Sequence, residues 1–437
     1  MSINDIKELK AKIPKAEDFV SKELQDGKKK LELLYYKTLS DEAQLQTYLI
    51  KPFYEISEPV QFLAYLQSHP KVKYFETKEK VQEDLIRGSS LLIYQNQVFL
   101  LDVKLEKNNA VSETSAETTI LGPKSGFSES LPINIGLIRQ RYPEETLMIE
   151  STNIGSISKT TVNLLYDSKK VDKAVLKEVK TFLSAIEIEM FQSGEQLLDF
   201  TKKSQRVLFP TLMVTERPDR TVLNIAAGKI TLLVSGSPFA VLMPSVLKDQ
   251  MASMADIYHT YWIGKFLLLV RYIGLFTTIT LPALYVALVS YNPEVFRVQL
   301  ALSVAGSRHA VPYPSFVEVI LMLIMMELLM EASIRLPKAI GPTATTVGGL
   351  ILGQAATEAG LVSTIMIIIV SLGAIANFVI PISTFSFAIR VSKYFILLLS
   401  IFYGLVGVIL GLFLLLAYMV SLDSFGKPYL TFREEKI

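Results

Sequence analysis

"RLPKAIGPTATTVGGLILGQAATEAGLVS", residues 335–363, lies between strongly apolar runs yet carries five glycines, two prolines, a threonine run, Gln354 and Glu358. A helix in contact with hydrocarbon keeps polar residues and irregular backbone only where they face protein or water. Either the stretch is a loop between soluble elements, or it is a closely packed or broken helix inside a membrane bundle. Its neighbours decide the matter. Residues 361–380 and 394–422 are free of charge, and runs of that length read as membrane-embedded.

Working outward, Tyr272–Val289 is eighteen uncharged residues, about 27 Å of helix and close to the hydrocarbon thickness of a bilayer. It reads as the first membrane helix. Phe316–Ser333, about Thr343–Thr357, Leu361–Ile380 and Tyr394–Leu422 are further candidates. Tyr258, Tyr261 and Trp262 (the only tryptophan) precede the first run, as interfacial anchors do; ordinary core packing is the alternative. Arg335 with Lys338, and Arg390 with Lys393, form basic connections. If all five segments span, both connections fall on the side of the N-terminal region, as the positive-inside rule prefers, and the C-terminus falls opposite. If Thr343–Thr357 is re-entrant, the later helices invert and the C-terminus returns to the N-terminal side.

The chain has 437 residues with 44 Lys+Arg, 42 Asp+Glu and a mean hydropathy of +0.36. Of its 86 charged residues, 67 precede Gly264 and 19 follow it, so a soluble N-terminal part is followed by a membrane part. Cysteine is absent, which excludes disulfides, thiolate catalysis and cysteine-ligated metals. "MSINDIKELKAKIPKAEDF" is polar and lacks an apolar core, so it does not read as a secretory signal, and the soluble part is expected on the cytoplasmic side. A net charge of +2 gives no reason to expect nucleic acid as a partner.

The expected architecture is an α+β N-terminal region of two small α/β subdomains, then an all-α polytopic membrane domain of about five helices. The boundaries are 1–105 for the first subdomain, 106–130 for a polar linker, 131–262 for the second, 263–422 for the membrane domain and 423–437 for a short tail. Within these, Asp5–Leu34 reads as mostly helical. "SSLLIYQNQVFLLDV" reads as a hairpin about Gln95-Asn96-Gln97, and "LPINIGLIRQRY" as a short helix. "KTTVNLLYD" is a strand, Lys170–Ser193 is helical, and "RTVLNIAAGKITLLVSG" reads as two strands turning at Gly228-Lys229.

Catalytic and metal constellations fail on residue type. "GGLILGQAAT" spaces Gly348 and Gly353 like a phosphate loop, but Gln354 and Ala355 stand where Lys and Ser/Thr are needed. Three histidines (His69, His259, His309) show no ligand spacing, and Ser237 lacks the elbow of a nucleophilic serine. No enzyme, cofactor or metal is expected. Charge in the apolar part is more telling. Glu327 and Glu331 share one helix face and Glu318 points nearly opposite to Glu327. A carboxylate at bilayer depth costs at least roughly 2.5 kcal/mol and so faces protein or water. Glu318, Glu327, Glu331, Gln354 and Glu358 are therefore candidates for a polar, cation-conducting surface; pairing of Glu331 with Arg335 at i, i+4 is the structural alternative. Gly349/Gly353 and Gly407/Gly411 are GxxxG pairs that let helix backbones approach closely, within or between subunits. Gly348 and Gly360 complete the expected packing and hinge set.

The stretches "GPKSGFSESLPINIGLIRQR", "TERPDR", "GKITLLVSGSPFAVLMP", "LPALYVAL", "PSFVEVILMLIMMELLMEASIRLPKAIG", "VGGLILGQAATEAGLVS" and "SFGKPYL" occur in order over about 122–430. Together they resemble the A subunits of GerA-type spore germinant receptors of endospore-forming bacteria. Arg217, Pro218, Asp219 and Arg220, and Gly236, Ser237, Pro238 and Phe239, carry two of these motifs. The chain departs from the pattern at Ser235, where relatives commonly carry Asp, and its first hundred residues match loosely. The resemblance implies a spore inner-membrane subunit working with a transporter-like B subunit and a lipoprotein C subunit. It also implies a homo-oligomeric ring forming a cation channel that opens on nutrient binding; a membrane scaffold that recruits partners without conducting is the alternative.

Overall fold

The computed structural model describes residues 16–27, 29–74, 78–105, 114, 117–200, 207–336 and 341–431. Its N-terminal region contains two five-stranded sheets, and its C-terminal half is mostly helical. The first sheet holds β1 (Phe19–Asp26), β2 (Lys29–Tyr36), β3 (Val72–Tyr74), β4 (Ser90–Tyr94) and β5 (Gln97–Leu101) in the order β1-β2-β4-β5-β3. Helices α1 (Pro59–Ser68) and α2 (Lys78–Ile86) accompany it. Strand alternation sorts side chains between two faces. Leu31, Leu33 and Tyr35 pack with Phe53 and Phe62, while Leu34 and Tyr36 pack with Val81 and Leu85.

The sequence reading of a helix over Asp5–Leu34 does not hold where the chain is described, from residue 16 onward. There β1 and β2 form an antiparallel hairpin. "KKLELLYY" has the period of a two-sided strand rather than a helix, and Gly27 supplies the positive φ of the turn at 55°. The β4–β5 hairpin turns on two residues, Gln95 and Asn96, both at positive φ, as the two-residue turn matching strand twist requires. Ten residues of the expected linker, 106–113 and 115–116, lie outside the described residues.

The second sheet follows α3 (Leu131–Arg141) and comprises β6 (Leu147–Ile154), β7 (Thr160–Asp167), β8 (Met213–Thr215), β9 (Ile230–Val234) and β10 (Ala240–Met243), with α4 (Lys173–Ser184) and α5 (Pro218–Ala226) between strands. Its order, β6-β7-β9-β10-β8, repeats that of the first sheet, and every pairing in both is antiparallel. One face packs Val162, Leu164 and Leu232 on Val175, Val179 and Leu183 of α4. The other packs Leu165 and Leu233 on Ile135 and Ile138 of α3 and Ile225 of α5. The first half of "RTVLNIAAGKITLLVSG" is thus helix, not strand. Pro218 sits in its first turn, where a missing N–H is harmless. Gly228, at φ 85°, donates to the Ile225 carbonyl while Lys229 donates to that of Asn224, a glycine-terminated helix end.

The two units are clamped by a buried ion pair. Arg139 of α3 donates to Asp18 through Nε (2.6 Å) and Nη2 (2.7 Å) and lies over the Tyr36 ring.

Beyond α6 (Leu247–Met251) and α7 (Ala255–Tyr258) the chain is helical: α8 (Tyr261–Ser290), α9 (Val298–Arg308), α10 (Ser315–Arg335), α11 (Gly341–Glu358), α12 (Thr364–Phe378) and α13 (Ser383–Ser421). Among the described residues, α8 and α13 are long and apolar enough to cross a membrane. Helix α8 begins eleven residues before the expected Tyr272, because Arg271 is neutralised on entry. Its guanidinium pairs with both Asp256 oxygens, the Nη2 contact being 2.8 Å.

Helix α13 is not straight. Gly404 (φ 58°, ψ −135°) is non-helical, and a Cβ on Gly407 would run into the Leu399 carbonyl, and one on Gly411 into Ile396. Residues eight and fifteen positions apart would be about 12 and 22 Å apart on a straight helix. Residues 383–403 and 405–421 are therefore antiparallel limbs of a helical hairpin. Its turn abuts Tyr291, whose hydroxyl donates to the Ile401 carbonyl.

The hairpin returns the C-terminal segment to the sheets. Ser424 Oγ donates to Thr211 O (2.7 Å) and accepts from Ser245 N (3.0 Å), and the Tyr429 carbonyl accepts from Leu247 N. Of the two sides the sequence leaves open for the C-terminus, the structure has the side of the N-terminal region. What reads as one long apolar run holds two limbs, and the extra reversal brings the chain back. Phe209, Met251 and Tyr429 enter the bundle's own core, so the sheets and helices share packing at the junction.

Candidate functional site

Three charge clusters, two buried and one half-buried, bear on the sequence's candidate residues. The first is built on "TERPDR". Arg217 caps α5 and is fully buried; its fork meets Asp219 at 3.0 and 2.7 Å, and its remaining donors reach Glu117 O, Thr119 Oγ1 and Pro123 O. Arg220 pairs with Glu117 (3.1 Å) and donates to Ala252 O. Tyr258 donates to Asp219 at 2.7 Å. One helix start thus ties down the 117–123 segment and the connection that leads into α8.

Burial works to raise the Asp219 carboxyl, but hydrogen bonds from Arg217 and Tyr258 outweigh it and hold it below the usual carboxylate range. Burial first, and then the bond to Asp219, push the Tyr258 hydroxyl up to about 12. Tyr258 thus braces Asp219, and Tyr261 and Trp262 are 68% and 80% exposed at the start of α8. The second motif is a turn. Gly236 (φ 83°) follows β9, Ser237 Oγ accepts from Phe239 N, and Pro238 and Phe239 lead into β10.

The second cluster lies at the end of the bundle away from the sheets. Glu318 is fully buried and accepts from Ser363 N (2.6 Å) and Ser363 Oγ (2.5 Å), with Arg308 Nε at 3.3 Å and the Tyr285 hydroxyl at 3.5 Å. It is consumed in joining α8, α9, α10 and the start of α12. Conduction would need an exposed lone pair, and Glu318 offers none to solvent.

The third cluster centres on Glu327. It accepts from Arg390, Lys393 (2.9 Å) and Tyr394 (3.2 Å). One carboxylate thus faces two cations, so the local field is positive rather than cation-attracting. Spacing alone places Glu327 on a face with Glu331; its cationic partners lie 63 and 66 residues on, where no local periodicity reveals them. Glu331 pairs with Arg335 on an exposed face.

Gln354 and Glu358 differ from all of these. On α11, residues 350, 351, 354, 355 and 358 form one exposed stripe, and Leu350 and Ile351 in it are 63% and 58% exposed. The stripe mixes exposed polar and apolar side chains toward the end of α11 that leads through Ser363 to the Glu318 cluster.

The glycines serve packing inside the chain. Ideal Cβ atoms on Gly348 and Gly349 would lie 3.4 Å from Leu329, and one on Gly353 3.8 Å from Ile367. Gly360 (φ 64°) ends α11: its N–H reaches Thr357 O and that of Leu361 reaches Ala356 O, the doubled bond pattern of a left-handed helix cap. Gly407 and Gly411 let the two limbs of α13 touch. The "RLPKAIG" turn falls largely on residues 337–340, outside the described residues. Among the described residues no group of acids or histidines is arranged to hold a metal.

A family model described as the Bacillus/Clostridium GerA spore germination protein matches residues 7–434. "Spore germination protein KA" of Bacillus subtilis is 30% identical over 98% of this chain and 80% of its own length. "Spore germination protein B1" of the same organism is 32% identical over 93% and 85%. The crystal structure of the N-terminal domain of the A subunit of the Bacillus megaterium spore germinant receptor GerK3 matches at 23% identity with a TM-score of 0.42. That match covers 55% of this chain and 94% of that one.

Proposed function

The chain belongs to the GerA spore germination family, and from that premise we propose that it is the membrane A subunit of a spore germinant receptor, forming a ligand-gated cation channel as a homo-oligomer. Its soluble part divides into units 1–105 and 131–262 joined by 106–130. The membrane part, 263–422, crosses six times: α8, α10, α11, α12 and the two limbs of α13, with 423–437 back on the starting side. That revises the five passes suggested by hydropathy. The soluble units lie on the cytoplasmic side of the spore inner membrane, and the working complex includes a transporter-like B subunit and a lipoprotein C subunit.

The observation that carries the channel reading is the exposed Gln354–Glu358 stripe of α11. Polar groups at membrane depth are costly against lipid, so a second copy or water covers this face, and a ring places it around a shared path. Glu318 and Glu327 are neutralised within the chain and take structural roles in this scheme. Spores carrying Glu358→Lys or Gln354→Leu should lose monovalent-cation release on nutrient addition while the protein accumulates in the membrane. Normal release in both would remove the pore assignment and leave a scaffold.

A further inference from the structure

At the junction between the second sheet unit and the bundle lies a cavity of about 340 Å³, walled by α5, α6 and the α6–α7 connection, the first turns of α8 and residues 427–431 of the C-terminal segment. Its volume is in the range of small-molecule sites. Tyr261, Gly264, Lys265 and Leu268 of α8 line it from one helix face, as their i, i+3, i+4, i+7 spacing dictates. Leu223, Ala227 and Met254 supply apolar walls opposite.

Charge around the cavity is asymmetric. Three lysines, Lys248, Lys265 and Lys427, line it, together with Arg220 and Lys229, which are held by Glu117 and Asp249, and two carboxylates. Both carboxylates are already engaged, Asp249 with Lys229 at 2.6 Å and Asp256 with Arg271. Tyr261 lines the cavity and, with its neighbour Trp262, is exposed at the start of α8, a pair that marks the headgroup level of a bilayer. An apolar hollow with a basic rim at that depth matches one class of molecule, an anionic amphiphile entering from the membrane.

We propose that this cavity takes an acyl chain of an anionic membrane phospholipid, with the lipid phosphate met by the lysine rim. Occupancy fills the seam between the sheets and α8, so the lipid acts as a wedge holding the soluble part against the bundle. The site depends on α8 entering a membrane but not on any conduction by the oligomer.

The test is native mass spectrometry of the full chain purified in mild detergent with equal phosphatidylglycerol and phosphatidylcholine. One phosphatidylglycerol per chain should survive activation that strips other lipid. Leu223→Trp, which fills the cavity, should reduce that adduct at least tenfold, and Lys248→Glu with Lys427→Glu should abolish the preference over phosphatidylcholine. Ala227→Phe serves as a second filling variant should Leu223→Trp not fold. The proposal is overturned by an absent adduct, by equal retention of the two lipids, or by undiminished retention in folded filling variants. Displacement of the lipid by inorganic phosphate alone would overturn it too, as the site would then bind free phosphate.

Discussion

Replacing Gly404 with alanine should break the helical hairpin of α13. Gly404 has φ 58° and ψ −135°, a conformation that costs an L-residue about 1–3 kcal/mol. Its new Cβ would also lie 2.8 Å from Cγ and 3.0 Å from Cβ of Tyr291, atoms near that residue's backbone that cannot swing clear. Overpacking of that kind adds about 1–3 kcal/mol, so the variant should lose about 2–6 kcal/mol. Thermal unfolding of the detergent-solubilised chain reads the loss. In a Tyr291→Ala background the 2.8 Å contact with Cγ disappears while the 3.0 Å contact with Cβ stays, so the loss should shrink toward the backbone part, about 1–3 kcal/mol. Gly373→Ala is the control: it lies within α12 with nothing within 4 Å of a new Cβ, so it should be neutral or up to about 1 kcal/mol stabilising. If Gly404→Ala behaves like Gly373→Ala, residues 383–421 form one continuous helix and the reversal argued here is wrong.

Arg217→Met should cost about 3–5 kcal/mol by leaving Asp219 buried without its partner, measured as a lowered unfolding midpoint. Because Asp219 is held below its ordinary range, its contribution is present above the unfolded carboxylate pKa of about 3.9 and is lost as pH falls through the lower folded value. Asp219→Asn should therefore flatten the acid limb of a stability–pH profile and leave its shape above pH 5 alone. Glu327→Gln should destabilise the bundle by about 3–5 kcal/mol, since Arg390 and Lys393 then face each other without an acid. Lys393→Met in that background should recover part of the loss, whereas a pore-lining Glu327 would change cation flux without changing the melting profile. Single cysteines at Glu187 and Lys427 should react with an impermeant thiol reagent from one side of the membrane and one at Glu294 from the other; labelling of Lys427 with Glu294 would refute the returning C-terminus.

Much of the architecture follows from local pattern. The two-residue turn at Gln95–Asn96, strand β7 and the helical character after Tyr261 all rest on interactions within a few residues. The misread segments are those where charge and period disagree. β1 is the edge strand of its sheet and exposes Lys22 and Glu23 along its length, and charge density there mimics a surface helix. α5 contains the β-prone "TVLNI", but Pro218 and the Gly228 cap set a helix around it. Gly404 lies in "YGLVG" with nothing nearby to distinguish it from Gly407, and its turn is imposed by Tyr291, more than a hundred residues earlier. The roles of Glu318 and Glu327 were equally hidden, because a carboxylate's function in an apolar bundle depends on what the fold brings to it. Asp18 with Arg139, and Asp256 with Arg271, are likewise pairs that only the fold brings together.

Cross-linking at Gln354 bears most directly on the claim that α11 faces a shared path between copies. The chain has no cysteine, so Gln354→Cys introduces a single thiol without background. In native membranes a short bifunctional thiol reagent should convert this variant, and Glu358→Cys, into a ladder of homo-oligomers of this chain. A chain that remains entirely monomeric at both positions, while inserted and folded, would contradict the account.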